Sequence, residues 1–571
     1  MGRRRIFWQA AGAFWGLLLA CWLARGFFLH PANTIYENHE AGTYVGRLLE
    51  FRDLLAAGYY WPQWCTDFRA GLGSPYFSYY QPGFFYLASL VPWSLAPIRA
   101  LGIAVMACAL AGYLAMWALI GRRFGTLGGW VAASGLLLSS YVGTEIYLRG
   151  DLSELAAMMG ACVAVWALQR WLDSGGWPKL ACLAAAGAGL ILLHPCVALI
   201  GYGVMALGVA LFYWQTGQLG RALGALAGLV FGAGLAAFYW FPVFFEWHLV
   251  GSDAAFSGFY HYSRHFVSPL ALLGPYDRRE TVPVSLGPIL PLLAAFNVLV
   301  LARRRGEATA EQWRLVTFCA ASWVVCVLLM SPGSALVWRY APLLHRLQFP
   351  WRILSVLTVL TAALAGAVLP WRRAEYRTAA MAALVLAMFA FSWQYTAYRL
   401  DRTVRLPQDA AALQVGFFAP DLCHEWLPRG AQIDISMQDA ASPVAGEGCE
   451  VRDFQRRQGR LSCRVRARAD SFVILPHYYF PVGFRATLSG RTLAIQPDNR
   501  GLMKIDLPAE SEGVLEVTFS QTPMRTWGLI ASAGCLAALL GLCLVYGRAE
   551  RARAGSSGAD CSERPCCPLE S

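Results

Sequence analysis

About a dozen apolar runs, each near the roughly 20 residues that a helix needs to cross a bilayer, divide this chain and leave it few architectures. They fall near residues 6–28, 100–120, 127–144, 154–171, 179–194, 196–214, 222–242, 285–302, 314–330, 353–370, 378–397 and 526–546. With 57% of its residues hydrophobic, 14% charged and a mean hydropathy of +0.44, the chain is far from a soluble domain, where about 25% are charged. A polytopic membrane domain is expected. Arg3, Arg4 and Arg5, Arg122 and Arg123, Arg170 and Lys179, Arg221, Arg303 to Arg305, Arg372 and Arg373, and Arg548, Arg551 and Arg553 all fall on one side of an alternating path. Short basic loops of this kind stay in the cytoplasm. Both termini are therefore expected to be cytoplasmic, in a bacterial inner (cytoplasmic) membrane. The formal charge of +12 resides largely in such loops, so it reads as topology and excludes a nucleic-acid partner. No small-residue cleavage site follows the first run, which reads as a retained span.

The same alternation leaves residues 30–99, 246–284, 331–352 and 398–525 outside. The apolar piece 83–98 is broken by Pro92 and Pro97 and reads as interfacial or re-entrant. Residues 398–525 carry more charge and short alternating segments such as VILPHYYF, FRATLSG, LMKIDLP and VLEVTFS between turn residues, the pattern of a small β-rich sandwich. The expected division is thus 1–397 membrane domain, with 30–99 its first outer loop, 398–525 outer β-rich domain, 526–546 final span, and 547–571 disordered cytoplasmic tail. Cys449 and Cys463 lie close together in a polar outer segment, where a disulfide between them is expected to be stable.

Three outer constellations carry chemistry. Glu37, His39 and Glu40 follow the first span closely; a carboxylate partly desolvated there has its neutral form favoured and becomes a base nearer neutral pH. They read equally as solvated loop residues. The aromatic run that follows, with Trp64, Tyr79 and Tyr80, suits the headgroup level. YLRGDLSE places Arg149, Asp151 and Glu154 at the outer ends of two spans, with the two acids three apart on one helix face; Asp151 or Ser153 can equally be a helix cap. HRLQFPWR gives Gln348 and Arg352 outside a span, against the positive-inside tendency, and arginine's fork suits phosphate. An interface anchor is the alternative. His194-Pro195 marks the outer junction of two short runs, where a helix-end role is as natural as a ligand role.

The segments GYYWPQW, GLGSPYFSYYQP, RGDLSE, LLHP and QFPWR resemble the bacterial membrane proteins called 6-pyruvoyl-tetrahydropterin-synthase-related, which are similar to the GT-C glycosyltransferase superfamily. The resemblance covers the region from the first span to the tenth. It implies an all-α membrane domain of about 12 helices, with a small β-rich outer domain near the C-terminus. The implied enzyme takes a sugar from a polyprenyl-phosphate donor and glycosylates a glycan, lipid or protein acceptor of the envelope on the outer side, within membrane lipid. The resemblance places the catalytic acid on Glu40, where Asp is commoner, with Glu37 and His39 as neighbouring alternatives. It places Tyr44 where His is expected, followed by Arg47. Tyr44, Arg47, Trp64, Tyr79, Tyr80, Arg149, Asp151, Glu154, His194, Gln348 and Arg352 are the expected substrate-binding set. Asp151 and Glu154 could also hold a divalent ion such as Mg or Mn, although no cofactor is required by the sequence. A lipid-sugar flippase or a non-catalytic assembly protein competes with this reading. The near absence of ionisable residues at mid-span argues against a transporter.

Overall fold

The apolar runs form helices, since a backbone in lipid must satisfy its own hydrogen bonds. A computed structural model describes residues 2–274, 284–368, 374–397, 402–406, 425–433 and 441–559. The first helices are α1 (Gly2–Ala24), α2 (Ala41–Ala56), α3 (Tyr76–Tyr79), α4 (Gly83–Ser89), α5 (Pro97–Leu137) and α6 (Ser140–Thr144). Next come α7 (Leu152–Ser174), α8 (Trp177–Leu193), α9 (Pro195–Thr216), α10 (Leu219–Leu235), α11 (Ala237–Phe245) and α12 (Ile289–Arg303). The last are α13 (Ala310–Met330), α14 (Ala335–Tyr340), α15 (Pro342–His345), α16 (Leu354–Ala365), α17 (Ala374–Ala397) and α18 (Pro523–Ala559).

Every apolar run coincides with helix, but twelve full crossings are not established. Among the described residues six helical stretches are long and apolar enough to cross a bilayer, seven if α10 and α11, bent by 73°, make one span; four other apolar helices are only 10–17 residues long. Within α5 the backbone leaves helical geometry at Gly125 (φ 80°, ψ 168°). A Cβ on Gly129 would lie 2.5 Å from the Trp117 ring and 2.9 Å from Gly121 Cα, residues that a straight helix holds about 18 Å and about 12 Å away along its axis. The chain folds back there. Runs 100–120 and 127–144 are therefore two antiparallel limbs.

The bundle has two unlike ends. At one, Arg123 pairs with Asp173 at 2.7 Å, Arg221 donates to the Leu172 and Asp173 carbonyls at 2.9 and 2.8 Å, and Gln312 donates to the Arg123 carbonyl at 2.7 Å. This is the end of the basic loops. The buried helix α7, 23 residues and so about 34 Å long, joins it to an opposite end where Asp151 sits. That span matches a bilayer core of about 30 Å.

The β-rich domain near the C-terminus is a sandwich. One sheet has the order β3 (Val444–Ala445), β6 (Ser471–Tyr478), β10 (Leu502–Leu507), β9 (Ile495–Pro497); the other has β4 (Cys449–Arg457), β5 (Arg460–Ala467), β11 (Ser511–Phe519), β7 (Phe484–Leu488), β8 (Arg491–Leu493). Alternate residues Leu461, Cys463, Val465, Val473, Leu475, Ile505, Leu515 and Val517 fill the space between them. A further pair, β1 (Thr34–Tyr36) and β2 (Thr403–Arg405), ties the first outer loop to the segment after α17. The expected Cys449–Cys463 disulfide is absent: both are free thiols, because the β4–β5 ladder sets Cys449 opposite Ala467. Helix α18 continues to Ala559, so residues 547–559 of the tail expected to be disordered are helical, in keeping with their Ala, Arg and Glu content. Residues 560–571 lie outside the described residues.

The sandwich is seated on the first outer loop through buried polar contacts. Trp64 donates its indole N–H to His477 Nε2 at 2.7 Å, His477 Nδ1 bonds the Gly71 carbonyl at 2.9 Å, and Gly459 N–H donates to Thr66 at 2.9 Å. Burial pushes the His477 imidazole down to about 3, so it stays neutral and keeps the lone pair that Trp64 needs. Gln458 bridges Glu50 at 3.3 Å and Asp67 at 2.8 Å. Glu50 is fully buried, and one of its carboxyl oxygens has no partner among the described residues. Burial, and then the nearby Asp67, raise its pKa well above the ordinary value. A group whose pKa is raised on folding contributes stability below the ordinary carboxyl range and loses it as pH rises through the folded value. Glu50→Gln should therefore flatten the fall of thermal midpoint toward alkaline pH and raise the midpoint at pH ~8; a wild-type slope would show that Glu50 is not the group responsible.

Candidate active site

At the end of the bundle away from the basic loops, short irregular pieces bring distant acids and arginines together. Residues 145–149 form one π-helical turn, and Gly150 (φ 70°) turns the chain sharply enough for Asp151 to cap α7, accepting the Glu154 N–H at 3.0 Å. A side chain at Gly150 would strike Asn38 at 2.5 Å. Helix capping and the site thus use the same residue.

Arg149 is the hub. Its guanidinium meets Glu145 at 2.5 Å, Glu154 at 2.8 Å and Asp151 at 3.4 Å, and it lies over the Trp351 ring at 4.6 Å. Glu154 also accepts from Ser355 at 2.7 Å and Tyr141 at 3.1 Å, with Arg352 Nε 3.4 Å away. Arg352 donates to Gln348 at 3.0 Å, and Gln348, itself at φ 66°, donates to the Ala255 carbonyl at 2.8 Å. A second chain of bonds runs from α2. Arg47 pairs with Glu40 at 3.0 Å and donates to Tyr80 at 3.0 Å; the Tyr80 and Tyr44 hydroxyls are 2.9 Å apart; Tyr44 donates to Asp151 at 2.8 Å and accepts the Ser153 N–H at 3.0 Å.

The two cavity carboxyls differ in acidity. Burial raises Glu40, and the Asp151 charge adds to it, outweighing Arg47 and Arg149. Burial also acts to raise Asp151, yet Arg149, His194 and Arg352 hold it below the usual carboxylate range. Opposed shifts of this kind separate a carboxyl with raised proton affinity from a permanently charged neighbour. Glu40, with 19% of its side chain exposed, opens onto a cavity of about 1480 Å³. The cavity is lined by the polar side chains of Glu40, Arg47, Tyr80, Arg149, Asp151, His194, Gln348 and Arg352 and by apolar ones that include Ile191, Leu199, Trp240, Val243 and Phe244. Tyr79 also lines it, stacked on Trp426 and donating to the Glu246 carbonyl at 2.9 Å.

Other expected residues stand elsewhere. Tyr44 and Glu154 are buried behind the cavity wall and act through Asp151 and Arg149. His39 is exposed at the rim. Glu37 is exposed and does not line the cavity, because its backbone N–H continues the β1–β2 pairing to the Arg402 carbonyl at 2.8 Å. Trp64 does not line it either: its only donor is spent on His477. Glu145, Tyr141 and Ser355 belong to the network without having been expected. An acid at the end of an apolar run was a signal for Glu145; the two hydroxyls had none. Arg264 and Arg346 also reach the cavity, adding cations from two outer loops.

Asp151, Glu154 and His194 present ligand atoms within 4.8 Å of one another, a spacing that a metal ion could use. Mg prefers an all-oxygen site, whereas one of these three donors is an imidazole and both carboxylates are already engaged by arginine. Arg149 and Arg352 already share Glu154 Oε2, Arg149 also meets Asp151 Oδ2, and His194 Nδ1 accepts the Val197 N–H at 3.4 Å, which leaves the proton on Nε2 facing Asp151 at 3.9 Å. Chelation by EDTA should leave turnover unchanged; a loss restored by Mg or Mn would reassign these carboxylates to a metal.

The chain matches no known protein family and no curated protein. Among solved structures it is similar to arabinofuranosyltransferase AftD from Mycobacteria, with 18% identity over 70% of this chain and 27% of that one and a TM-score of 0.40. It is also similar to the apo oligosaccharyltransferase of Archaeoglobus fulgidus, with 13% identity over 71% and 57% and a TM-score of 0.37. Arabinosyltransferase EmbB from Mycobacterium smegmatis gives 12% identity over 89% and 63%, with a TM-score of 0.35. The chain spans 27% to 63% of the length of these structures.

Proposed function

We propose that this protein is an integral membrane glycosyltransferase that moves a sugar from a polyprenyl-phosphate carrier to a hydroxyl of an envelope acceptor, on the outer face of a bacterial inner membrane. One observation carries the reading: a carboxyl with a raised pKa, several arginines and a set of apolar side chains line one cavity at the end of the bundle away from the basic loops. The apolar lining suits an isoprenoid chain. Arg352, with Arg264 and Arg346, suits its phosphate, which guanidinium groups bind through charge-assisted hydrogen bonds. The sequence resemblance points the same way.

In the step proposed, Glu40 takes the proton of the acceptor hydroxyl as that oxygen attacks the anomeric carbon from the face opposite the phosphate. The carbon–oxygen bond to the carrier breaks, its electron pair leaves on the polyprenyl phosphate, and the sugar is transferred with inversion. Arginines near the leaving phosphate stabilise the charge that develops there. Asp151, fixed by Tyr44 and Arg149, stays ionised and holds sugar hydroxyls. The test is reconstitution in liposomes with a labelled polyprenyl-phosphate sugar and envelope extract as acceptor, followed by mass spectrometry. Free polyprenyl phosphate and a glycosylated acceptor are expected; intact carrier that crosses the bilayer unchanged would make the protein a flippase.

A further inference from the structure

The outer sandwich carries a charged face that the cavity does not use. In the five-stranded sheet, Leu461, Cys463, Val465 and Ala467 point inward, so the ladder registers place Arg452, Arg457, Arg460, Arg464, Arg466 and Arg485 on the outward face, against Glu450, Glu512 and Glu516. All three glutamates are engaged: Arg452 with Glu450 at 3.1 Å, Arg460 with Glu516 at 2.5 Å, and Arg466 with Glu512 at 3.4 Å. Arg457, Arg464 and Arg485 are exposed and make no ion pair among the described residues. The β4–β5 register, moreover, sets Arg452 directly opposite Arg464 and Arg457 opposite Arg460. Like charges facing each other across a ladder destabilise a sheet. Glu450 and Glu516 neutralise one arginine of each pair, which leaves Arg464 and Arg457 for an external anion.

We infer that this face binds an extended anionic glycan strand, one bearing carboxylate or phosphate groups, and guides it along the sheet. The length of the arginine row favours a polymer strand. It begins at Arg457 and Arg460, on the hairpin seated against Thr66 of the first outer loop, and runs along β5 to Arg466, about 20 Å away at ~3.4 Å per residue. A polymer strand with regularly spaced anionic groups can meet successive arginines over that length. The face shares no residue with the cavity, so this binding stands or falls separately from sugar transfer.

The test uses the full chain in nanodiscs of zwitterionic lipid, with fluorescent polygalacturonate as probe and dextran of similar length as the neutral control. Polygalacturonate should bind and dextran should not, and binding should weaken as salt rises from about 50 mM to about 500 mM. The triple variant Arg457→Gln, Arg464→Gln, Arg485→Gln should bind at least about tenfold more weakly with a thermal midpoint no lower than the wild type's, since two facing like-charge pairs are relieved. Arg464→Glu alone serves as the second variant should the triple one not fold, and should also weaken binding. Equal binding of dextran, an undiminished variant, or capture by phosphatidylglycerol vesicles without polygalacturonate binding would overturn the inference.

Discussion

Glu40→Gln should lower the rate of sugar transfer by about 10²–10⁴-fold, the usual contribution of a positioned general base, while the protein inserts normally and binds its carrier as before. Glutamine keeps the shape and can still accept from Arg47, but it takes no proton. The side chain sits at the cavity surface and not in the packed core, so little stability is at stake. Because burial and the Asp151 charge raise the Glu40 pKa, and only the carboxylate accepts a proton, wild-type activity should climb with pH along a limb displaced above the ordinary glutamate value. That limb should vanish in the variant. Retention of wild-type rate would remove Glu40 from the mechanism and turn attention to Asp151, a poorer base because Arg149, His194 and Arg352 hold it ionised.

Arg149→Met should cost about 3–5 kcal/mol, the penalty for stripping the partner from buried charge, against a total stability of only about 5–15 kcal/mol. Glu145, Asp151 and Glu154 all contact this guanidinium within 3.4 Å, and each is nearly or fully buried. Arg352 reaches Glu154 but has no contact with Glu145. Folded protein should therefore be scarce in the membrane, and what remains should have lost its cavity geometry. Adding Glu145→Gln should recover part of the thermal midpoint, since it removes one of the uncompensated charges. An unchanged midpoint in the single variant would mean that the hub is not structural.

Much of this was legible before the fold was known. The apolar runs, the basic loops and the alternation in residues 444–519 are local patterns with direct physical causes. RGDLSE and QFPWR announced charged groups at span ends, and the fold brings both motifs to Glu154. What stayed hidden was non-local. Nothing in the sequence says that Trp64 would meet His477, more than 400 residues away, and an aromatic run beside a membrane suits binding as well as packing. Nor does composition show that Gly125 folds α5 back on itself, or that Ser355 and Tyr141 would turn toward an acid on another helix. Span counting suffers similarly, because helices packed among others need not carry a full apolar length of their own.

Labelling with a membrane-impermeant maleimide, in a chain whose exposed native cysteines have been replaced, tests the arrangement most directly. Cysteines placed at His39 and Gln348 should react from the outside of intact cells, and one at Arg122 only after permeabilisation. If His39 and Gln348 label from opposite sides, the acid and the arginines do not share a leaflet, and no single lipid phosphate could meet both.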